Sequence, residues 1–145
     1  MFEQLLRRIT ENTDNRLPEP DSRLALAALL VRIARADGQY TEREIARIDR
    51  VLSRRHDLSA QDTTALRNQA ETLEAEAPDT VRFTRALKDA VPVEDRDDLM
   101  QALWAVALAD DGRDANEDQL IRLVASLLGI TDQESALARQ KVSQY

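Results

Sequence analysis

Two stretches of the chain repeat one local pattern, a helix followed by a short turn and a second helix. The first covers residues 24–52 and reads LALAALLVRIARADGQYTEREIARIDRVL, and the second covers residues 99–128. In both stretches apolar residues recur every three or four positions, which is the period of an amphipathic α-helix. No segment alternates apolar and polar residues, so no sheet is expected. The sequence therefore predicts an all-α protein built from two related halves.

Residues in the first turn have the types that end one helix and begin the next. Gly38 follows the first helix, where a residue without a Cβ atom can adopt the left-handed conformation. Thr41 and Glu44 have the spacing of a capping box, in which each side chain bonds to the other residue's main-chain amide. In the second turn Asp111 or Gly112 would end the first helix of the repeat, and a capping residue would begin the next helix.

Similar capping signals, among them a second capping box formed by Thr131 and Glu134, predict seven main helices, or eight with a short amphipathic helix at residues 2–10. Residues 1–20 are expected to form this N-terminal helix and a linker, and residues 21–145 a single helical domain that starts at Asp21 or Ser22. The N-terminal helix could dock on the domain, or bind a partner or a membrane surface. The main helices would form two pseudo-repeated helical bundles that share a core containing Trp104.

Composition excludes several classes of function. The chain has 145 residues, a formal net charge of −7, no cysteine and one histidine. The absence of cysteine excludes disulfides and thiolate metal sites. The negative charge argues against nucleic-acid binding, and no apolar run approaches the ~20 residues of a membrane span. His56 lies near the end of a helix, where a surface histidine is favourable to the helix dipole. A soluble cytoplasmic protein is expected.

Carboxylates are the candidate ligands for a metal ion. Asp37 and Glu44 flank the first turn, and Asp110 and Glu117 have the same separation in the second. Oxygen ligands suit hard cations such as Ca²⁺ or Mg²⁺, although the EF-hand pattern is not matched. A structural explanation is also open, because capping boxes and tight turns account for the same acids. Asp111 and Asp114 are additional candidates.

A stripe of arginines on the second helix is the other candidate site. At 100° per residue, the arginines lie opposite the apolar residues Ile45, Ile48 and Leu52, which are expected to be buried in the core. The stripe is either a solvated face or a docking site for an anionic partner or anionic lipid head groups. Its members are Arg43, Arg47, Arg50 and Arg54.

Parts of the sequence resemble the TerB-like family, namely the segments IARADGQYTEREIARI and RFTRAL and the second repeat. That family includes tellurite-resistance protein TerB and the N-terminal region of DjlA-type co-chaperones. The likeness covers roughly residues 21 to 142 and is strongest to small stand-alone bacterial domains. It implies two pseudo-repeated helical bundles and an acidic surface that binds metal ions. The matching residues are Asp37, Glu44, Asp110 and Glu117. One departure is the second turn, which reads ADDG where the family has ADG, so Asp111 matches a glycine.

Two functions are consistent with these observations. The first is a non-enzymatic cytoplasmic domain that binds Ca²⁺, Mg²⁺ or Zn²⁺ through paired acidic turns in bacterial stress-resistance or membrane-proximal complexes. The second is a metal-free protein–protein interaction module. Protein partners are expected in both cases, with no nucleic acid, and peripheral attachment to a membrane stays open. A hydrolase with paired carboxylates is less favoured, because no second catalytic group is evident.

Overall fold

A computed structural model describes residues 19–36, 38–76, 80–109 and 115–143. These ranges contain α-helices, one short 3₁₀ helix and no strand, which confirms the all-α prediction. The N-terminal helix predicted at residues 2–10 lies outside the described residues. The α-helices are α1 (Glu19–Arg35), α2 (Glu42–His56), α3 (Ala60–Glu76), α4 (Val81–Ala90), α5 (Arg96–Ala107), α6 (Ala115–Leu127) and α7 (Asp132–Ser143), and the 3₁₀ helix is Val93–Asp95.

Helix α1 is the centre of the molecule and contacts α2, α3, α4, α5 and α6. Every residue from Ala25 to Val31 is buried, as are Ile33 and Ala34. A helix that is apolar on all sides is stable in water only when other elements cover it. The continuous alanine and leucine run of α1 therefore explains why five helices surround it.

The two halves of the chain share one core. In the first half α2, α3 and α4 pack on α1, and in the second half α5 packs on α7 and α6. Contacts of α5 with α1 and α2 join the halves. Trp104 of α5 is 7% exposed and belongs to this common core, as expected. Its indole Nε1 donates a hydrogen bond to Oγ of Ser135 in α7 at 3.1 Å.

Ion pairs attach the polar helix α3 to its neighbours. Glu74 accepts hydrogen bonds from Arg35 at 2.8 Å and from Arg32 at 3.4 Å, both in α1. Nε of Arg67 donates to Asp49 of α2 at 2.7 Å. These side chains are partly buried, so their charges are screened by water less than those of an exposed pair. Apolar residues of α3 also pack against the core, and these ion pairs complete its attachment.

The start of α1 differs from the prediction. The sequence places this start at Asp21 or Ser22, whereas the helix begins at Glu19. Pro20 then lies in the first turn, where the missing amide hydrogen costs nothing because the helix has no acceptor for it. Helix α1 therefore begins earlier in the sequence than expected. Among the described residues, no helix has the length and apolarity needed to cross a membrane.

Candidate functional site

Glu44, at the beginning of α2, is fully buried and has a structural role in the first acidic turn. One carboxylate oxygen, Oε1, accepts hydrogen bonds from the main-chain amide and the hydroxyl of Thr41, both at 3.0 Å. The Thr41 hydroxyl in turn accepts from the Glu44 amide at 3.2 Å. The predicted capping box is therefore confirmed. The left-handed helix stop is also confirmed, since Gly38 has a φ of +82°.

The other predicted metal ligands cannot be placed in the same way. Asp37, Asp110, Asp111 and Asp114 lie outside the described residues, and Glu117 lies in α6 without a described side chain. In the part of the chain that the structure describes, no three histidine, cysteine, aspartate or glutamate side chains form a group that could hold a metal ion. The paired acidic site therefore stays a prediction, and the described geometry establishes only the capping role of Glu44.

Packing between α2 and α5 places the start of α2 close to the end of α5. Arg47, one turn into α2, donates a hydrogen bond to the main-chain carbonyl of Ala105 at 3.4 Å. Ala105 is two residues before the end of α5. The beginning of α2 and the end of α5 are therefore neighbours. In the sequence, the first acidic turn comes directly before α2, and the second comes directly after α5.

Tyr40 lies in the first turn and does not act as an acid or a base at neutral pH. The Arg35 guanidinium stacks over its ring, 4.8 Å from the centroid. Burial, together with the neighbouring Glu71 carboxylate, raises the pKa of the Tyr40 hydroxyl well above its ordinary value. The phenol therefore remains neutral, and its role here is packing.

A groove of about 1070 Å³ lies between α2 and α5, and we call it the arginine groove. Basic side chains of α2 form one wall, and residues of α5 and the 3₁₀ helix form the other. The α2 wall consists of Arg47, Arg50, Arg54, Arg55 and His56. The facing wall carries Asp95, Asp98 and Gln101, and the floor is apolar, with Val51, Ala102, Ala105 and Val142.

Three of the four arginines in the predicted stripe line this groove, and Arg43 does not. Arg55 joins them, a residue that sequence reasoning missed although it lies eight positions, or about two helical turns, after Arg47. Among the described residues, the guanidinium groups of Arg50, Arg54 and Arg55 form no ion pair. Positive charge is therefore concentrated along one wall and is not neutralised there by described carboxylates.

The buried face of α2 also differs in one position from the prediction. Ile48 and Leu52 are fully buried, as expected. Ile45 is only half-buried, and the residue before it, Glu44, is fully buried instead. The expectation that Ile45 is a core residue is therefore wrong. The cause is the capping box, which needs the Glu44 side chain to fold back over the first turn and so places it against the molecule.

His56, the last residue of α2, lies at the end of the groove and is neutral at pH 7. Burial, followed by the charges of Arg23 and Arg55, lowers its pKa to about 4. Its Nε2 atom is buried and has no hydrogen-bond partner among the described residues. The interpretation of His56 as a surface residue favourable to the helix dipole is therefore wrong, because a neutral imidazole contributes little to that interaction.

Comparison with known proteins identifies the family. The family model described as "Tellurite resistance protein TerB" matches residues 23–140, which extend from α1 into α7. Neither the curated proteins nor the solved structures include a significant match. The matched region covers most of the chain and contains both helix–turn–helix repeats and the two facing walls of the arginine groove. The chain belongs to the TerB family of tellurite-resistance proteins.

Proposed function

We propose that this TerB-family domain is a non-enzymatic binding domain that docks an anionic partner in the arginine groove. The observation that carries the proposal is a row of guanidinium groups on one wall that form no ion pair with any described residue, namely Arg50, Arg54 and Arg55. The chain has 27 acidic and 20 basic residues, so carboxylates are plentiful elsewhere. Adjacent positive charges repel each other, and an anionic partner would relieve that repulsion.

Chemistry in the groove supports binding more than catalysis. His56 is the only groove residue whose ordinary pKa lies near neutrality, and its pKa of about 4 makes it a weak base. Efficient acid–base catalysis uses groups whose pKa lies near the working pH. The chain also has no cysteine that could act as a nucleophile. The domain is therefore proposed to act by bringing partners together, in bacterial stress-resistance or membrane-proximal complexes of the cytoplasm.

A titration with a short polyglutamate peptide tests this proposal. The arginine Nε–H signals of the ¹⁵N-labelled protein report which guanidinium groups meet the peptide. We expect shifts at Arg50, Arg54 and Arg55 in the wild type, and weaker binding of the peptide by the triple variant R50Q/R54Q/R55Q. The control, R85Q/K88Q/R122Q, removes the same charge from exposed side chains outside the groove and should bind like the wild type. Shifts that spread over every surface arginine would contradict the proposal.

A divalent cation at the acidic turns is a second candidate function. The observation in its favour is the contact of Arg47 with Ala105, which places the start of α2 beside the end of α5. Acidic residues flank both ends, and carboxylate oxygens are the ligands that Ca²⁺ and Mg²⁺ prefer, whereas Zn²⁺ prefers nitrogen and sulfur. The proposed ligands are Asp37, Glu44, Asp110 and Glu117, with Asp111 and Asp114 as additional ones.

Thermal unfolding of chelator-treated protein tests the cation. Binding to the native state alone adds about 2.7 kcal/mol at a hundredfold excess over Kd, which would raise Tm by several degrees. Ca²⁺, Mg²⁺ and Zn²⁺ are compared with NaCl at matched ionic strength. The variant D37N/D110N should lose the ion-specific increase. No increase beyond the NaCl control in the wild type would eliminate this candidate.

A further inference from the structure

We infer that the occupant of the arginine groove is an acidic amphipathic α-helix of a partner protein. This inference rests on the proposed function, because it names the kind of anionic partner. Three features of the groove carry it: the spacing of the arginines along α2, the apolar floor, and the acidic residues on the facing wall.

The arginines are spread along the groove and do not converge on one point. Arg47, Arg50 and Arg54 follow one another at intervals of three and four residues, so they extend over about 10 Å of helix. A compact anion such as inorganic phosphate would meet one or two of them. A helix that lies along α2 with Asp or Glu at the same intervals would meet all three.

The floor of the groove favours a partner with an apolar stripe. Val51 and Ala105 are half-buried, and Ala102 is 8% exposed. Alanine side chains are short, so the backbone of a second helix can approach α5 at an ordinary interhelical distance of about 8–10 Å. A helix with apolar residues on the side facing the floor would remove this surface from water. An extended acidic chain would leave much of it exposed.

The facing wall argues against a uniformly anionic partner. Asp95 and Asp98 are exposed and line the same groove as the arginines. A membrane of acidic lipids would bring negative charge against these aspartates, and a flat surface would not reach the floor. An amphipathic helix can direct its acidic residues to α2 alone and place neutral or basic residues beside Asp95 and Asp98. The opposite signs of the two walls thus fit a helix with two different polar flanks.

Two peptides of identical composition test the inference. The first, of about 18 residues so that it can form a helix, has Glu at the arginine intervals beside a Leu/Ala stripe. The second has the same residues in scrambled order. Fluorescence anisotropy measures their affinities, and circular dichroism their helix content. We expect the first peptide to bind roughly tenfold more tightly or better, and to gain helix on binding.

Variants of the floor separate shape from charge. A105F fills the floor without changing charge and should abolish the preference for the amphipathic peptide. A65F, on the exposed face of α3, is the matched control and should retain that preference. The comparison of the two peptides on the wild-type protein requires no variant, so the inference stays testable if A105F does not fold.

Other outcomes would contradict the inference in distinguishable ways. Equal affinity for both peptides, with loss of peptide binding in R50Q/R54Q/R55Q, would contradict the inference that the occupant is a helix. The proposal that the partner is anionic would then still stand. Binding of phosphatidylglycerol vesicles through the arginines, with no binding of either peptide, would overturn the protein partner. Failure of both peptides, polyglutamate and vesicles would overturn the inference and the proposed function together.

Discussion

Arg47 donates a hydrogen bond to the main-chain carbonyl of Ala105 at 3.4 Å and so links α2 of the first repeat to α5 of the second. The same two residues line the arginine groove. They also place the start of α2, which follows the first acidic turn in the sequence, beside the end of α5, which precedes the second acidic turn. The packing of α2 on α5 is therefore the structural basis of both candidate functions.

The capping role of Glu44 predicts a stability difference between two equivalent capping boxes. Glu44 is fully buried, whereas Glu134, which makes the same bonds with Thr131, is exposed. Removing a buried acceptor leaves its donors without a partner, at a cost of about 1–3 kcal/mol. We expect E44A to lower the free energy of unfolding by that amount and E134A by less, in urea titrations at pH 7. Equal losses would show that burial of Glu44 is not important.

Gly38 predicts a purely conformational penalty. Its φ is +82°, and a Cβ atom built there would meet no atom of the described residues within 4 Å, apart from its chain neighbours. The cost of a side chain therefore comes from the backbone and is about 1–2 kcal/mol for an ordinary residue. We expect G38V to lower the urea midpoint clearly and G38N to lower it less, because asparagine tolerates this conformation. Equal midpoints for G38V and wild type would contradict the left-handed helix stop.

His56 predicts a loss of stability on acidification. Its pKa is about 4 in the folded protein against an ordinary value of 6.5 for histidine, so the unfolded chain takes up this proton first as the pH falls. The free energy of unfolding should therefore decrease between about pH 6.5 and about pH 4. In H56Q this component is absent, and unfolding should depend less on pH in that window. Parallel pH profiles for the two proteins would contradict the lowered pKa.

Much of the fold could be predicted because its signals are local. Gly38, the Thr41–Glu44 box and the Thr131–Glu134 box each involve residues close together in the sequence, and all three form as expected. The burial of α1 follows from its apolar composition. These features depend on the residue types within one turn or one helix, which can be read from the sequence.

The candidate sites were less predictable because they depend on distant residues. The arginine stripe was evident on α2, but the opposite wall comes from residues 95–105, about 50 positions later. The pKa of His56 depends on burial and on Arg23 from α1. Such juxtapositions arise from tertiary packing, which helix periodicity does not contain. The acidic turns are a different case, since Asp37 and Asp110 lie outside the described residues and their pairing stays a prediction.

The central claim is that the arginine groove binds an acidic partner, and the most direct test is the affinity of the amphipathic peptide for matched charge variants. Three surface ion pairs of about 0.2–1 kcal/mol each correspond to roughly a tenfold change in Kd. We predict that R50Q/R54Q/R55Q raises Kd by about this factor at low salt, and that added NaCl reduces the difference. The variant R85Q/K88Q/R122Q should bind like the wild type. Equal Kd values for wild type and both variants would contradict the claim.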